Sequence, residues 1–130
     1  MREIWFVVIL CFLILGNNAF AQSKKIMIFG SSNHDVYLGC LSCSEYATDS
    51  VHNKFSKYGS EFQTDSIFNP FGRFGSPFSN FSACSQFATE PPVIVDQQGN
   101  FYGRLTLNTM HSQANTEESL LQWLKTTVCK

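Results

Sequence analysis

The sequence lacks an excess of charge of either sign. Its 130 residues carry nine Lys and Arg against ten Asp and Glu, a formal net charge of −1. A protein that binds nucleic acid or anionic lipid presents a basic field to its partner. The balance therefore argues against both, and we expect no nucleic-acid partner.

The sequence also contains no recognisable motif of catalytic or metal-binding residues. Its three histidines are scattered: His34, His52 and His111. No H-E-x-x-H spacing occurs, and no serine has a nucleophile-elbow context. We expect no catalytic residue, no metal site and no cofactor. The alternative is a small extracellular hydrolase, in which His34 or His111 works with Asp35, Asp49 or Asp96.

Long apolar runs are absent after the N-terminus, which reads MREIWFVVILCFLILGNNAFAQ. Arg2 precedes an apolar run at 4–15 that is too short to span a bilayer, and Ala19-Phe20-Ala21 ends it with small residues. This pattern predicts a signal peptide at 1–21, cleaved after Ala21; a retained membrane anchor is the alternative. Residues 22–130 are then one secreted or periplasmic domain with no stable membrane anchor.

Removal of Cys11 with the signal peptide leaves an even number of cysteines: Cys40, Cys43, Cys84 and Cys129. In an oxidising compartment this predicts two disulfides, with three pairings open. We favour Cys40 with Cys43, which are within a turn's reach, and Cys84 with Cys129, which would tie the repeat region to the C-terminal tail. The alternatives, a zinc site or a Cys-Leu-Ser-Cys redox motif, suit this compartment and context less well.

Two β-hairpins and one helix are predicted around the central region. KIMIF and VYLGCL form the first hairpin, joined by GSSNHD at 30–35; VIV and FYGRLTL form the second, with Gly99 at its turn. From Asn115, NTEESLLQWLKTTVCK predicts a helix. Its apolar face should lie on the sheet, with Trp123 near the edge. That face consists of Leu120, Leu121, Leu124 and Val128.

An aromatic duplication fills the middle of the chain, at 49–90. DSVHNKFSKYGSEFQT is followed directly by DSIFNPFGRFGSPFSN, a period of sixteen, and a decayed third copy contains Ser82, Ala83, Ser85 and Phe87. Gly and Pro forbid a continuous helix, so we expect capped turns with their aromatic rings packed inward. The fold class is thus α+β: a small antiparallel sheet of two hairpins, the aromatic repeat packed on it, one C-terminal helix and two disulfides.

The motifs YLGCLSCS, SIFNPFGRFGSPFSN and PPVIVDQQGNFYGRLTLN resemble those of an uncharacterised family of small exported bacterial proteins and domains. That family carries S-I-[WF]-N-x-[YF]-G-x-[YF]-G-S repeats followed by P-P-V-I-V-D-x-x-G-x-[FY]-Y-G, and also occurs as a tail on secreted nuclease-like domains. The resemblance implies export and supplies no catalytic residues. Phe68 stands where Trp is common, and Phe replaces most of the Tyr.

The expected function is therefore a secreted, non-catalytic binding or accessory module, for a cell-wall glycan or for a secreted or envelope protein. A minority of the repeat residues would form a groove for that ligand, beside the rings that pack inward. The candidates are His52, Asn53, Lys57, Tyr58, Phe68, Asn69, Arg73 and Phe74.

Overall fold

The computed structural model describes residues 23–130, so the predicted signal peptide lies outside the described part. Four strands form one antiparallel sheet in the order β2-β1-β3-β4. They are β1 (Ile26–Gly30), β2 (Val36–Cys40), β3 (Val93–Asp96) and β4 (Phe101–Arg104). Both predicted hairpins are confirmed, and pairing of β1 with β3 joins them into one sheet.

The second hairpin is shorter than its alternating sequence predicts. Gly99 has a φ of 81° at the turn, as expected for that position, but β4 ends at Arg104 instead of continuing to residue 107. Leu105 leaves the strand, and its N–H donates to the carbonyl of Pro92 (2.8 Å). This bend carries the Leu105 side chain into the core, where it is fully buried.

Residues 44–91 form a spiral of β-turns, and we refer to them as the spiral. In most of these turns a backbone N–H donates to the carbonyl three residues earlier. Asn53 N–H donates to the Ser50 carbonyl (3.2 Å), and Ser56 N–H donates to the Asn53 carbonyl (3.1 Å). The side chain that opens a turn also accepts the N–H two residues later, as Ser50 does from His52 (3.0 Å) and Ser66 from Phe68 (3.1 Å). Regularly spaced Ser and Asn thus build the spiral through local side-chain hydrogen bonds.

Residues eight apart stack on one another along the spiral. A Cβ added to Gly59 would lie 3.0 Å from the Val51 carbonyl oxygen, and one added to Gly75 would lie 2.6 Å from that of Ile67. Every eighth residue is buried: Val51, Gly59, Ile67, Gly75, Ala83 and Pro91. Each sixteen-residue copy is therefore two eight-residue coils, one contributing Val, Ile or Ala to the centre and the next contributing Gly or Pro.

One hydrophobic core joins the sheet to the spiral. Ile28 and Leu38 from the sheet belong to the same cluster as Ile67 and Phe74 from the spiral. The first hairpin approaches the spiral closely at Gly30, because a Cβ there would lie 2.5 Å from the Phe74 ring. The aromatic repeat therefore packs against the sheet, as predicted, but only some of its rings take part.

The C-terminal helix packs elsewhere than predicted. α1 (Glu118–Trp123) continues as a π-helical turn (Leu124–Val128), so it begins later than Asn115. Within residues 23–130 its backbone approaches none of the strands, which corrects the expectation that it lies on the sheet. Leu124 and Val128 are buried against the spiral side of the core, whereas the two leucines of the first turns, Leu120 and Leu121, are only half-buried.

Both predicted disulfides are confirmed. Cys40 pairs with Cys43 and Cys84 pairs with Cys129, with Cα atoms 5.5 Å and 5.4 Å apart. The second bridge joins the end of the helix to the spiral. In the part of the chain that the structure describes, no helix is long and apolar enough to cross a membrane.

Candidate binding surface

Six aromatic side chains of the spiral lie almost entirely in solvent. Their exposed fractions are 84% for Tyr46, 99% for Phe55, 85% for Phe62, 95% for Phe71, 94% for Phe78 and 84% for Phe87. This corrects the expectation that most of the repeat aromatics pack inward. The centre of an eight-residue coil holds Val, Ile or Ala in alternate coils and Gly or Pro in the others, and these six rings lie outside it.

We infer from the spacing of these six rings that they lie along one side of the spiral. They follow one another at alternating intervals of nine and seven residues, so each falls within one residue of the stacking period of eight. Phe62 also lines the groove beside the C-terminal helix, together with Lys54 and Pro70, which are eight residues before and after it. We call the six rings the aromatic stripe.

Asn53 and Asn69 hold the stripe in place. Each Oδ1 accepts the N–H of the ring two residues later, Phe55 or Phe71, at 3.0 Å. Each Nδ2 donates to a carbonyl six residues earlier, again at 3.0 Å. The oxygen and the nitrogen of each side-chain amide are thus both hydrogen-bonded to backbone. Asn53 and Asn69, which the sequence predicts to bind a ligand, instead fix the turns that position the neighbouring Phe.

The predicted residues of the next turn lie off the stripe. Phe74 is 1% exposed in the core, which corrects its assignment to a ligand-facing surface. The half-buried Tyr58 ring lies 5.1 Å from that of Tyr37 on β2. The cations cover aromatic faces: Lys57 lies 5.2 Å from the Tyr58 ring centre, and Arg73 lies 4.2 Å from that of Phe81.

His52 and Phe68 lie together on the helix side of the spiral. Their ring centres are 5.5 Å and 6.2 Å from that of Trp123. They line a groove of about 740 Å³ between the spiral and the helix. The His52 Nε2 hydrogen-bonds with the Leu41 carbonyl (2.8 Å), so this ring is fixed to backbone on one side and to Trp123 on the other.

The residues of the alternative hydrolase do not converge. His111 binds backbone through both ring nitrogens: Nε2 contacts the Thr89 carbonyl (3.0 Å), and Nδ1 accepts the Gln113 N–H (3.0 Å). His34 lies exposed in the β1–β2 loop. Over residues 23–130 no histidine hydrogen-bonds to a carboxylate, and no group of three His, Cys, Asp or Glu could hold a metal.

The three aspartates considered for chemistry instead hold turns and strands. Asp35 accepts a hydrogen bond from the Ser31 hydroxyl, which lowers the pKa of this carboxyl. Asp49 binds Lys25 Nζ (2.8 Å) and accepts from the Tyr37 hydroxyl (2.6 Å). The Lys25 contact first, and then the Tyr37 bond, lower the pKa of Asp49.

Asp96 organises the β3–β4 turn. Its Oδ1 accepts the N–H groups of Gln98 (2.9 Å) and Asn100 (3.0 Å), and its Oδ2 accepts from the Asn100 amide (2.9 Å) and the Tyr102 hydroxyl (2.7 Å). These bonds, the Asn100 side chain foremost, lower the pKa of Asp96 to about 2. The same carboxylate raises the pKa of Tyr102. Asp96 is thus an ionised structural group at neutral pH.

The sequence does contain a signal for the stripe, which the sixteen-residue alignment hides. A Ser or Asn stands two residues before each ring, and Ser60 and Ser76 accept the N–H of Phe62 and Phe78 (3.2 Å and 3.1 Å). Ser66 accepts the Phe68 N–H in the same way, so this bond marks a turn, and the spacing of the rings is what distinguishes the stripe. Alternating steps of seven and nine residues mark one side of an eight-residue coil.

Comparisons with protein-family models, with curated proteins and with solved structures find no match for this chain. The resemblance carried by SIFNPFGRFGSPFSN and its flanking motifs therefore stays a prediction.

Proposed function

We propose that this protein is a secreted, non-catalytic binding module whose aromatic stripe holds an extended glycan of the cell envelope. The observation that carries this proposal is that six rings of the spiral, spaced alternately nine and seven residues apart, are each 84–99% exposed. Aromatic side chains lose about 150–250 Å² each on burial, so the stripe exceeds the apolar patches of a few hundred Å² found on most monomers. A surface of this kind is typical of a binding site.

The regularity of the stripe favours a repeating polymer. Ring faces stack on the apolar faces of sugars, and a linear chain of sugars offers such faces at regular intervals. Three exposed positions between the rings carry polar side chains that can bind sugar hydroxyls. They are Lys54, Gln63 and Gln86.

Two features support export. The disulfides Cys40–Cys43 and Cys84–Cys129 are typical of proteins that work in oxidising compartments. The N-terminal sequence has the pattern of a signal peptide cleaved after Ala21. Together they favour a module that acts outside the cytoplasm, secreted or periplasmic, where envelope glycans are found.

A partner protein is the second candidate, because five of the six rings are Phe. A Phe ring offers no hydroxyl for a sugar, whereas rigid aromatic anchors are common at protein interfaces. A secreted or envelope protein with an apolar groove would suit the same stripe.

A sedimentation assay with cell walls tests the proposal. The exported chain is mixed with walls before and after protease treatment, and the bound fraction is measured for the wild type and for a Phe71→Ala, Phe78→Ala double variant. We expect the wild type to bind protease-treated walls and the double variant to bind at least about tenfold more weakly. The control is Phe101→Ala, which removes a half-exposed ring outside the stripe.

Each outcome decides between the candidates. Binding that disappears after protease treatment, yet still depends on Phe71 and Phe78, assigns the stripe to a partner protein. Equal binding by the wild type and the double variant overturns the role of the stripe.

A further inference from the structure

A second cavity, separate from the stripe, lies on the outer face of the sheet. Its volume is about 420 Å³, and its apolar wall consists of Phe29, Val93, Val95 and Phe101. Phe29 pairs with Val93, and Val95 pairs with Phe101 across neighbouring strands. Because strand residues alternate in direction, these side chains point away from the core that Ile28 and Ile94 enter. This volume lies in the range of small-molecule sites.

Arg104 brings a positive charge to the rim of this cavity. Its Nε donates to Gln113 Oε1 (2.8 Å), and one terminal nitrogen donates to the Pro91 carbonyl (2.6 Å). Both acceptors are neutral. In the range 23–130 the ion pair found is Lys25 with Asp49, so no carboxylate compensates Arg104. Three of its five N–H groups remain for a ligand.

The backbone around Arg104 fixes the guanidinium in advance. Arg104 N–H donates to the Gln113 carbonyl (2.8 Å), and its own carbonyl accepts the Asn115 N–H (3.0 Å). The side chain therefore reaches the rim from a residue whose backbone N–H and C=O are both hydrogen-bonded to the segment at 113–115. A donor held in this way loses little conformational entropy when a ligand binds.

We propose that this cavity binds a small apolar carboxylate. The apolar part of the ligand lies between Phe29, Val95 and Phe101, and its carboxylate accepts hydrogen bonds from Arg104 at the rim. Planar guanidinium and carboxylate groups match in geometry and charge, and a pair at the edge of an apolar wall is stronger than one in open water. His34 also lines this cavity.

Titration of the full chain with octanoate and with octanol tests this inference. The two probes share an alkyl chain and differ in charge, and NMR shifts of the β3 and β4 amides report the site. We expect saturable octanoate binding that is at least tenfold tighter than octanol binding. Arg104→Gln should remove that preference, whereas Arg73→Gln, which changes an exposed arginine outside the cavity, should retain it.

A second variant tests the cavity independently, so that the inference does not depend on correct folding of Arg104→Gln. Val95→Trp fills the cavity without touching the guanidinium and should abolish the saturable shifts of octanoate. The Phe71→Ala, Phe78→Ala variant should bind octanoate as the wild type does, which separates this site from the stripe. Octanol binding equal to octanoate, no saturable binding by the wild type, or undiminished binding by Val95→Trp would each overturn the inference.

Discussion

At the scale of single residues, the same side chain has opposite environments within one repeat. Phe71 is 95% exposed and Phe74, three residues later, is 1% exposed. Phe71 follows the Asn69 corner and points outward on the stripe, whereas Phe74 lies beneath Gly30 of the first hairpin. Hydrophobicity therefore does not tell the two apart, and substitutions at neighbouring apolar positions should differ sharply in effect.

Ile67→Ala and Phe71→Ala make this contrast measurable. Ile67 is fully buried, so Ile67→Ala should lower the free energy of unfolding by about 3 kcal/mol through lost burial and the cavity left behind. Phe71→Ala should change it by less than about 0.5 kcal/mol, because its ring is exposed. Urea denaturation measures both. A large loss for Phe71→Ala would mean that the stripe is part of the core.

Asp96→Asn tests the charge at the β3–β4 turn. The pKa of Asp96 is lowered to about 2, below the value of about 3.9 for an unfolded chain. The ionised group therefore contributes stability that is fully present above about pH 4 and is lost as the pH falls towards 2. Asp96→Asn should lower the urea midpoint at pH 7 and reduce the loss between pH 4 and pH 2. An unchanged acid profile would contradict this role, and Gln97→Ala serves as the exposed control.

At the scale of elements, the spiral depends on glycine at alternate coil centres. A Cβ at Gly75 would lie 2.3 Å from the carbonyl oxygen of Asn69 and 2.6 Å from that of Ile67. Backbone atoms cannot rotate away as a flexible side chain can, so the neighbouring coil would have to move. The glycine at this position allows the coils to approach each other, and the Ser and Asn side chains close the turns between them.

Gly75→Ala should therefore lower the free energy of unfolding by about 1–3 kcal/mol, the usual cost of overpacking. Gln63→Ala, an exposed position in the same spiral, should leave it within about 0.5 kcal/mol. Urea denaturation of the two variants gives the comparison. Equal stability would show that the coils are not in close backbone contact at Gly75.

At the scale of the whole molecule, sheet, spiral and helix share one core, and the Cys84–Cys129 disulfide links the spiral to the end of the helix. This bridge spans 45 residues, whereas Cys40–Cys43 spans three. Closure of the longer loop removes much more freedom from the unfolded chain. The longer bridge also keeps Trp123 against His52 and Phe68.

Replacing both cysteines of the long bridge with Ala should lower the free energy of unfolding by about 4 kcal/mol in the chain-entropy model, and replacing Cys40 and Cys43 by less than about 2 kcal/mol. The first variant should also shift Trp123 fluorescence to longer wavelength, because the helix loosens from the spiral. Urea denaturation and emission spectra measure these effects. Similar losses for the two pairs would contradict the difference in loop length.

The sequence by itself determined the features that depend on local or covalent constraints. Both hairpins follow from short β-forming runs and their turn residues, including Gly99. Two disulfides follow from the even number of cysteines, and the spacing favours the observed pairing among three without deciding it. Capped turns follow from Ser and Asn, because these side chains bind backbone within a few residues.

Only the tertiary structure decided which faces meet solvent. In the folded chain Phe55 and Phe71 are exposed and Phe74 is buried, and the helix, which the Cys84–Cys129 disulfide joins to the spiral, approaches none of the four described strands. Hydrogen bonds to Pro91 and Gln113 hold the Arg104 guanidinium at the cavity on the sheet. The physical reason is that burial depends on contacts between residues far apart in the chain, and a local pattern of apolar residues is compatible with more than one such packing.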